Sequence, residues 1–166
     1  IPGDCVKDVC VDVGANIGDF INVVKSEFRE IHYYEPYTAC FERIQERHNL
    51  PNLKGYNEAV YAEDGINLPL MHHFNSDAGS NALKTDVINE HWVGEIGLVK
   101  TVSLDTVLKR VGGHINYLKC DCETSEYYFL FEKDLSNIDF IGIELHWQMG
   151  STKYNNLISH ILKTHS

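Results

Sequence analysis

The stretch that decides the fold is VCVDVGANIGDF, at residues 9–20. Its first part, residues 9–13, is a short apolar run of the kind that forms a buried strand, and it ends in a turn holding Gly14 and Gly18. Apolar residues then recur at the spacing of one helix face, from Ile17 to Phe28. A strand, a glycine turn and a helix in this order predict the first half of a β-α-β unit.

The same alternation continues along the chain. Further strands are predicted at residues 31–35, 53–60, 115–121 and 138–144, and further helices end near residue 48, follow Ser103, follow Thr124 or Ser125, and cover 154–162. Strands alternating with helices predict an α/β fold with a doubly wound, mostly parallel sheet. We expect one domain over residues 1–166, with a loop-rich insertion at about 61–101 that holds one or two extra strands and is a candidate lid.

Composition narrows the classes of function. The 166 residues carry a formal charge of −10, which argues against nucleic-acid partners and favours a small neutral or cationic ligand. No apolar run approaches the roughly 20 residues of a membrane span, and the first residues do not form a secretory leader. Five cysteines without a C-x-x-C pair predict a reduced, cytoplasmic protein. Because the chain starts at Ile1 without a methionine, we expect a piece of a longer protein.

Acidic residues close the predicted strands. In doubly wound sheets, ligands bind outside the carboxyl ends of the strands. Asp12, Glu35, Asp121 and Glu144 end four of the strands, and Glu58 lies near the end of another. These five carboxylates are the starting set for a functional site.

The glycine turn favours one cofactor over another. A dinucleotide-binding turn reads G-x-G-x-x-G and holds a pyrophosphate, but here Asp12 stands where the first glycine would be. A carboxylate at that position repels phosphate and suits an ammonium group, such as the methionine end of S-adenosylmethionine. Gly14 lets the backbone approach the ligand, and Glu35 can accept hydrogen bonds from both ribose hydroxyls. A strand-to-helix turn without any ligand is the simpler alternative.

These segments resemble those of FkbM-type methyltransferases. The resemblance runs through residues 11–20, 34–36, 57–60 with Gly65, 103–105, 117–123 and 143–146, in the family's order over nearly the whole chain. It implies a class I, Rossmann-like methyltransferase that uses S-adenosylmethionine to methylate a hydroxyl oxygen of a sugar or small metabolite. The cofactor residues it implies, together with the turn, are Asp12, Gly14, Ala15, Asn16, Gly18, Glu35, Pro36, Glu58, Ala59 and Asp121.

The candidate catalytic residues are Asp121, His146 and Glu144. Asp121 either faces the methyl donor or caps the next helix, while His146 is either a base or a structural histidine. Glu123 and Glu144 could orient either one. The three together could also bind a divalent cation, but the sequence holds no close pair of ligands, so we predict no metal. The acceptor, a small-molecule or glycan hydroxyl, and the oligomeric state are not identified by the sequence.

Other aromatic and histidine side chains have less specific predictions. Four residues of the insertion either line an acceptor pocket or lie on a surface loop: His72, His73, His91 and Trp92. Three later aromatic residues are expected to pack in the core: Tyr127, Tyr128 and Trp147.

The chain departs from the family pattern in two ways. Thr124 stands where the family usually has glycine, and the antiparallel hairpin that usually ends a class I sheet is absent, replaced or cut off. Both departures favour an alternative function, an S-adenosylmethionine-binding or interaction domain with impaired catalysis. A nicotinamide-dependent oxidoreductase is the third hypothesis.

Overall fold

The computed structural model describes residues 1–73, 81–85, 92–146 and 149–165, with only the backbone of residues 73, 92 and 93. The strands are β1 (Val9–Val13), β2 (Glu30–Tyr34), β3 (Leu53–Tyr56), β4 (Ala59–Val60), β5 (Asn67–His73), β6 (Asn81–Leu83), β7 (Trp92–Val102), β8 (Ile115–Cys120) and β9 (Ile138–Ile143). The helices are α1 (Asp19–Val24), α2 (Thr38–Arg47), α3 (Leu104–Arg110), α4 (Glu126–Phe129) and α5 (Ser151–Ile161).

The main sheet has five parallel strands in the order β3-β2-β1-β8-β9. The chain builds outward from β1 to β3 and then crosses back to the other side of β1, so the strand order reverses between β1 and β8. Such a reversal opens a crevice at the carboxyl ends of the strands, where α/β proteins bind ligands. The predicted doubly wound fold is confirmed.

Helices cover both faces of this sheet. All five residues of β1 are buried, as expected for a strand covered on both sides. On one face the core joins β1 to α3, α4 and α5, through buried residues such as Leu104, Phe129 and Leu157. On the other face α1 and α2 pack against the sheet, with Ile21 and Ile44 fully buried.

The predicted third strand is two strands in different sheets. β3 pairs with β2 in the main sheet, whereas β4 pairs with β7 in a second sheet of order β4-β7-β5-β6. The chain changes direction at Asn57, whose side-chain amide donates to the backbone carbonyls of Glu35 and Pro36, at 2.8 and 3.1 Å. This side-chain anchor sends the chain out of the main sheet.

The region 61–101 contains three strands, more than the one or two that we expected. β5 pairs antiparallel with β6 and β7, and its register with β7 shifts on both sides of Met71. Pro69 within β5, and Gly94 with a positive φ of 95° within β7, interrupt the alternation that predicts strands. Residues 74–80 and 86–91, where the rest of the expected loop falls, lie outside the described residues.

β9 is the last strand of the main sheet on this side. In the described part of the chain, β9 is followed only by helix α5 and carries no antiparallel strand beyond it. Among the same residues, no helix combines the length and the apolar character needed to cross a membrane.

Candidate active site

A crevice lies at the carboxyl ends of β1, β2 and β8. The last residues of these strands lie side by side in the register, so the residues that follow them, Gly14, Glu35 and Asp121, emerge together and line the crevice. Leu70, Asn81 and Leu83 of the second sheet close one side of it. Seven predicted cofactor residues line the crevice, namely Gly14, Asn16, Glu35, Pro36, Glu58, Ala59 and Asp121, whereas Asp12, Ala15 and Gly18 do not.

The glycine turn is shaped by contacts within the protein. Gly14 has a φ of +72°, and a Cβ built on it would lie 1.7 Å from the backbone oxygen of Asp121. Glycine is therefore required here by the close approach of the β8 end, rather than by a ligand alone. Gly18, with a φ of +82°, precedes α1 as its N-cap, and Ala15 is buried against the α1–α2 face of the sheet.

Asp12 lies behind the crevice and faces a lysine of the neighbouring strand. Its side chain is fully buried, and Lys119, its partner in the β1–β8 register, places Nζ 3.2 Å from Oδ1. Burial raises the pKa of the Asp12 carboxyl, and the nearby ammonium group opposes that shift. Lys119 Nζ also donates to the backbone oxygen of Gly14 at 2.7 Å. The ammonium group next to Asp12 thus comes from the protein, and the pair fixes the glycine turn.

Glu35 is the most deeply placed carboxylate of the crevice. It is 6% exposed, and each oxygen accepts one backbone hydrogen bond of 2.8 Å, Oε2 from Asn16 and Oε1 from Tyr37. Burial raises the pKa of this carboxyl to about 7, although the two amide donors act in the opposite direction. These bonds fix the orientation of the carboxylate and leave each oxygen with further capacity to accept a hydrogen bond from a ligand.

Glu58 also lines the crevice and is held by an arginine. Arg110 of α3 forms an ion pair with Glu58, and its guanidinium group lies 4.3 Å from the centre of the Tyr56 ring. The ring of Tyr34, which lines the crevice, stacks on Tyr56 at 4.8 Å between centroids. Glu58 is therefore part of a rigid aromatic and ionic wall, next to the buried Ala59.

The three predicted catalytic residues come together at the ends of β8 and β9. One ligand-type atom each of Asp121, Glu144 and His146 lies within 4.8 Å of the other two. Asp121 is half-buried and also lines the crevice. Glu144 is exposed, and His146 is 9% exposed.

Both ring nitrogens of His146 are already hydrogen bonded to carboxylates. Nδ1 lies 2.9 Å from Oε1 of the fully buried Glu126, which also accepts the backbone N–H of His146 at 3.0 Å. Nε2 lies 3.2 Å from Glu123. Burial acts to lower the pKa of the imidazole, but the bond to Glu126 and the surrounding negative charges outweigh it and raise the pKa to about 9. In this arrangement the ring is a hydrogen-bond donor near neutral pH.

Comparison with known proteins identifies the family. A family model described as the Methyltransferase FkbM domain matches residues 12–164. The chain belongs to the FkbM methyltransferase family. A crystal structure of methyltransferase FkbM from Methylobacillus flagellatus KT superposes with a TM-score of 0.61 at 19% identity. At that identity the likeness establishes a shared fold.

The match to the crystal structure covers 94% of this chain and 37% of the Methylobacillus chain, so this FkbM domain spans just over a third of that protein. A comparison with functionally curated proteins gives no significant match.

The backbone is strained at Thr124, where the sequence resemblance leads one to expect glycine. Thr124 is buried and has a φ of +79°, in the left-handed region where a β-branched residue is rare. Glu123 before it also has a positive φ, of 50°. The crevice is lined by the neighbours of Thr124, which are Cys122, Glu123 and Ser125. The substitution therefore acts on the backbone of the turn that carries Glu123.

Several residues of the site were not predicted. Lys119 falls within the resemblance over residues 117–123 but was given no role, and the role of Glu126 depends on a contact with a residue 20 positions away. Leu70, Asn81 and Leu83 belong to a region that we expected to be mainly loop.

The other predicted aromatic and histidine residues have varied surroundings. His72 hydrogen bonds to Asn81, and Tyr128 stacks on Tyr61. Tyr127 is buried and donates to the backbone oxygen of His146. The side chains of His73 and Trp92, and the whole of His91 and Trp147, lie outside the described residues.

Proposed function

We propose that this FkbM domain binds S-adenosylmethionine in the crevice and transfers its methyl group to a hydroxyl oxygen. The observation that carries the proposal is Glu35, a buried carboxylate oriented by two backbone amides at the end of the strand next to the glycine turn. Its oxygens are suited to the two hydroxyls of a ribose, which donate hydrogen bonds to a carboxylate. When bound, S-adenosylmethionine supplies an already activated methyl group, so the protein has mainly to position the acceptor.

The remaining residues of the crevice fit the other parts of this cofactor. The wall formed by Glu58, Ala59 and Tyr34 offers an apolar surface with one carboxylate for the adenine ring. Gly14 and Asn16 also line the crevice, and Gly14 lies against the backbone of Asp121. Asp121 would then lie near the methyl group, at the end where the acceptor enters.

Asp121 is the residue that we propose to take the proton of the acceptor hydroxyl. It lines the crevice, and its side chain is 37% exposed and so accessible to an acceptor. His146 has both nitrogens engaged with Glu126 and Glu123, so we assign it, with Glu144, to orienting the acceptor and Asp121.

The acceptor class that we propose is a sugar or small metabolite, neutral or cationic because the chain has a net charge of −10. The five cysteines, all within the described residues, form no disulfide, which supports a reducing, cytoplasmic location.

Two alternative functions remain distinguishable. A domain that binds the cofactor without catalysis is favoured by the strained Thr124, which lies next to Glu123 and close to Asp121 in the chain. A nicotinamide oxidoreductase predicts that a dinucleotide binds more tightly than S-adenosylhomocysteine. Binding without methyl transfer to a broad panel of hydroxyl compounds would support the first alternative.

Isothermal titration calorimetry of the chain with S-adenosylhomocysteine tests the proposal. We expect one ligand per chain, weaker or undetectable binding of NAD⁺, and weakened binding by Glu35→Ala. Glu42→Gln, an exposed carboxylate on α2, is the matched control and should bind like the unmodified protein. Failure of the folded, unmodified protein to bind S-adenosylhomocysteine would refute the proposed function.

A further inference from the structure

The ends of β8 and β9 form a second constellation beside the crevice. Asp121 follows β8, while Glu144 and His146 follow β9, the neighbouring parallel strand. One ligand atom of each residue lies within 4.8 Å of the others. An ion at the centre of such a triangle lies less than about 3 Å from all three atoms, so small side-chain rotations reach the 2.0–2.6 Å bonds, roughly, of divalent cations.

A buried carboxylate prepares His146 for this role. Glu126 is fully buried, and its Oε1 forms hydrogen bonds with both Nδ1 and the backbone N–H of His146. With Nδ1 held in this way, Nε2 is the nitrogen that faces Glu123, and it binds a cation by giving up its proton. Histidine ligands of metals have this arrangement, in which a carboxylate fixes the ring by its second nitrogen. Glu123, 3.2 Å from Nε2, offers a further oxygen ligand.

The negative charge around His146 also favours a bound cation. Four carboxylates, those of Asp121, Glu123, Glu126 and Glu144, surround this histidine or its immediate neighbours. Lys119 reaches Asp121 only at 3.8 Å, because its ammonium group is directed to Asp12 and to the oxygen of Gly14. Within the described ranges, the Glu144 carboxylate has no hydrogen bond or ion pair of its own. The excess of negative charge favours a bound cation over an empty cluster.

We propose that Asp121, Glu144 and the Nε2 atom of His146 form a binding site for one divalent cation of the Mg²⁺ and Mn²⁺ class. Oxygen ligands with a single imidazole suit these ions. Because Asp121 lines the crevice as well, a cation there lies where the acceptor hydroxyl enters, and it would hold and polarise that oxygen. The role toward the acceptor rests on the proposed function, whereas the binding of the ion does not.

Binding of Mn²⁺ to the chain, freed of metal by dialysis against EDTA, tests this site without any methyl donor. Electron paramagnetic resonance of free Mn²⁺ and calorimetry should show one bound ion per chain. Glu144→Gln, at an exposed position that should not affect folding, should weaken binding on the order of tenfold or more. Glu42→Gln is the matched control and should leave Mn²⁺ affinity unchanged.

Absence of bound Mn²⁺, or an equal loss of affinity in Glu144→Gln and Glu42→Gln, would overturn the metal site. The two proposals fail separately. Binding of S-adenosylhomocysteine without Mn²⁺ would leave the cofactor crevice standing and remove the metal site, and binding of Mn²⁺ without S-adenosylhomocysteine would do the reverse.

Discussion

The ion pair of Asp12 and Lys119 should contribute strongly to stability, and its loss should show mainly in the free energy of unfolding. The two charges lie 3.2 Å apart, and Asp12 is fully buried. At an effective dielectric constant of about 20, their attraction is about 5 kcal/mol before the cost of removing both groups from water. Because the desolvation cost is paid whether or not the partner is present, removing one partner leaves the other group buried without a compensating charge.

Asp12→Asn should therefore lower the free energy of unfolding by about 3 kcal/mol, near the low end of the range for a broken buried pair. Lys119 keeps its bonds to the backbone oxygens of Gly14 and Val13 in this variant, and its side chain is 21% exposed, which limits the loss. Lys119→Met leaves the fully buried Asp12 carboxylate alone and should cost more, about 4 kcal/mol.

A double-mutant cycle measured by urea denaturation at pH 7 separates this pair from a general packing defect. The double variant should be less destabilised than the sum of the single variants, with a coupling energy of about 2 kcal/mol. Asp19→Asn, which breaks an ion pair with Arg47 at the surface, is the control and should change stability little. A coupling energy below about 0.5 kcal/mol would refute the assignment of Lys119 as the partner of Asp12.

Three further predictions concern the turns and the carboxylate of the crevice. Thr124→Gly should raise the melting temperature, because a left-handed conformation costs a β-branched residue about 1–2 kcal/mol and glycine adopts it without strain. An unchanged or lower melting temperature would show that Thr124 is not strained. Gly14→Ala should destabilise the protein far more than Gly65→Ala, since both have similar positive φ values but only the first meets the Asp121 backbone; equal losses by calorimetry would contradict this. With a pKa of about 7, Glu35 gains a proton as the pH falls, so the affinity for S-adenosylhomocysteine should fall from pH 8 to pH 6; a flat profile would contradict its role as an acceptor.

The same shift in Glu35 has a consequence for stability, with the opposite sign. Its carboxyl is protonated more readily in the folded than in the unfolded state, since its pKa rises from 4.5 to about 7 on burial. The folded protein therefore binds more protons between these two pH values, and Glu35 makes a contribution to stability that is lost as the pH rises through that window. Burial of the Glu35 carboxylate therefore lowers the stability of the folded protein at neutral and higher pH, as is common for groups that bind a ligand.

The main sheet could be predicted from the sequence because its signals are local. A buried strand such as β1, followed by a glycine turn and a helix, is read from a dozen consecutive residues. The Ser103 cap of α3 is equally local, and the structure confirms it through the bond from the Thr106 amide at 3.4 Å. The second sheet was predicted poorly because Pro69 and Gly94 interrupt its alternating pattern, and because β5 and β7 pair residues that are up to 33 positions apart.

The candidate site shows the same limit. The positions of Glu35 and Asp121 follow from strand ends, and both line the crevice. The partner of Asp12 depends on the register between β1 and β8, which brings together residues more than 100 positions apart. The hydrogen bonds of His146 depend likewise on Glu126, on a helix that the sequence places but does not orient. Sequence patterns identify which residues close the strands, and only the register shows which side chains they meet.

A crystal structure of the chain with S-adenosylhomocysteine tests the central claim most directly. We predict that the ligand lies in the crevice at the ends of β1, β2 and β8, with its ribose hydroxyls on Glu35 and its sulfur nearest Asp121. A ligand bound elsewhere, or bound in the crevice without contact to Glu35, would contradict the account.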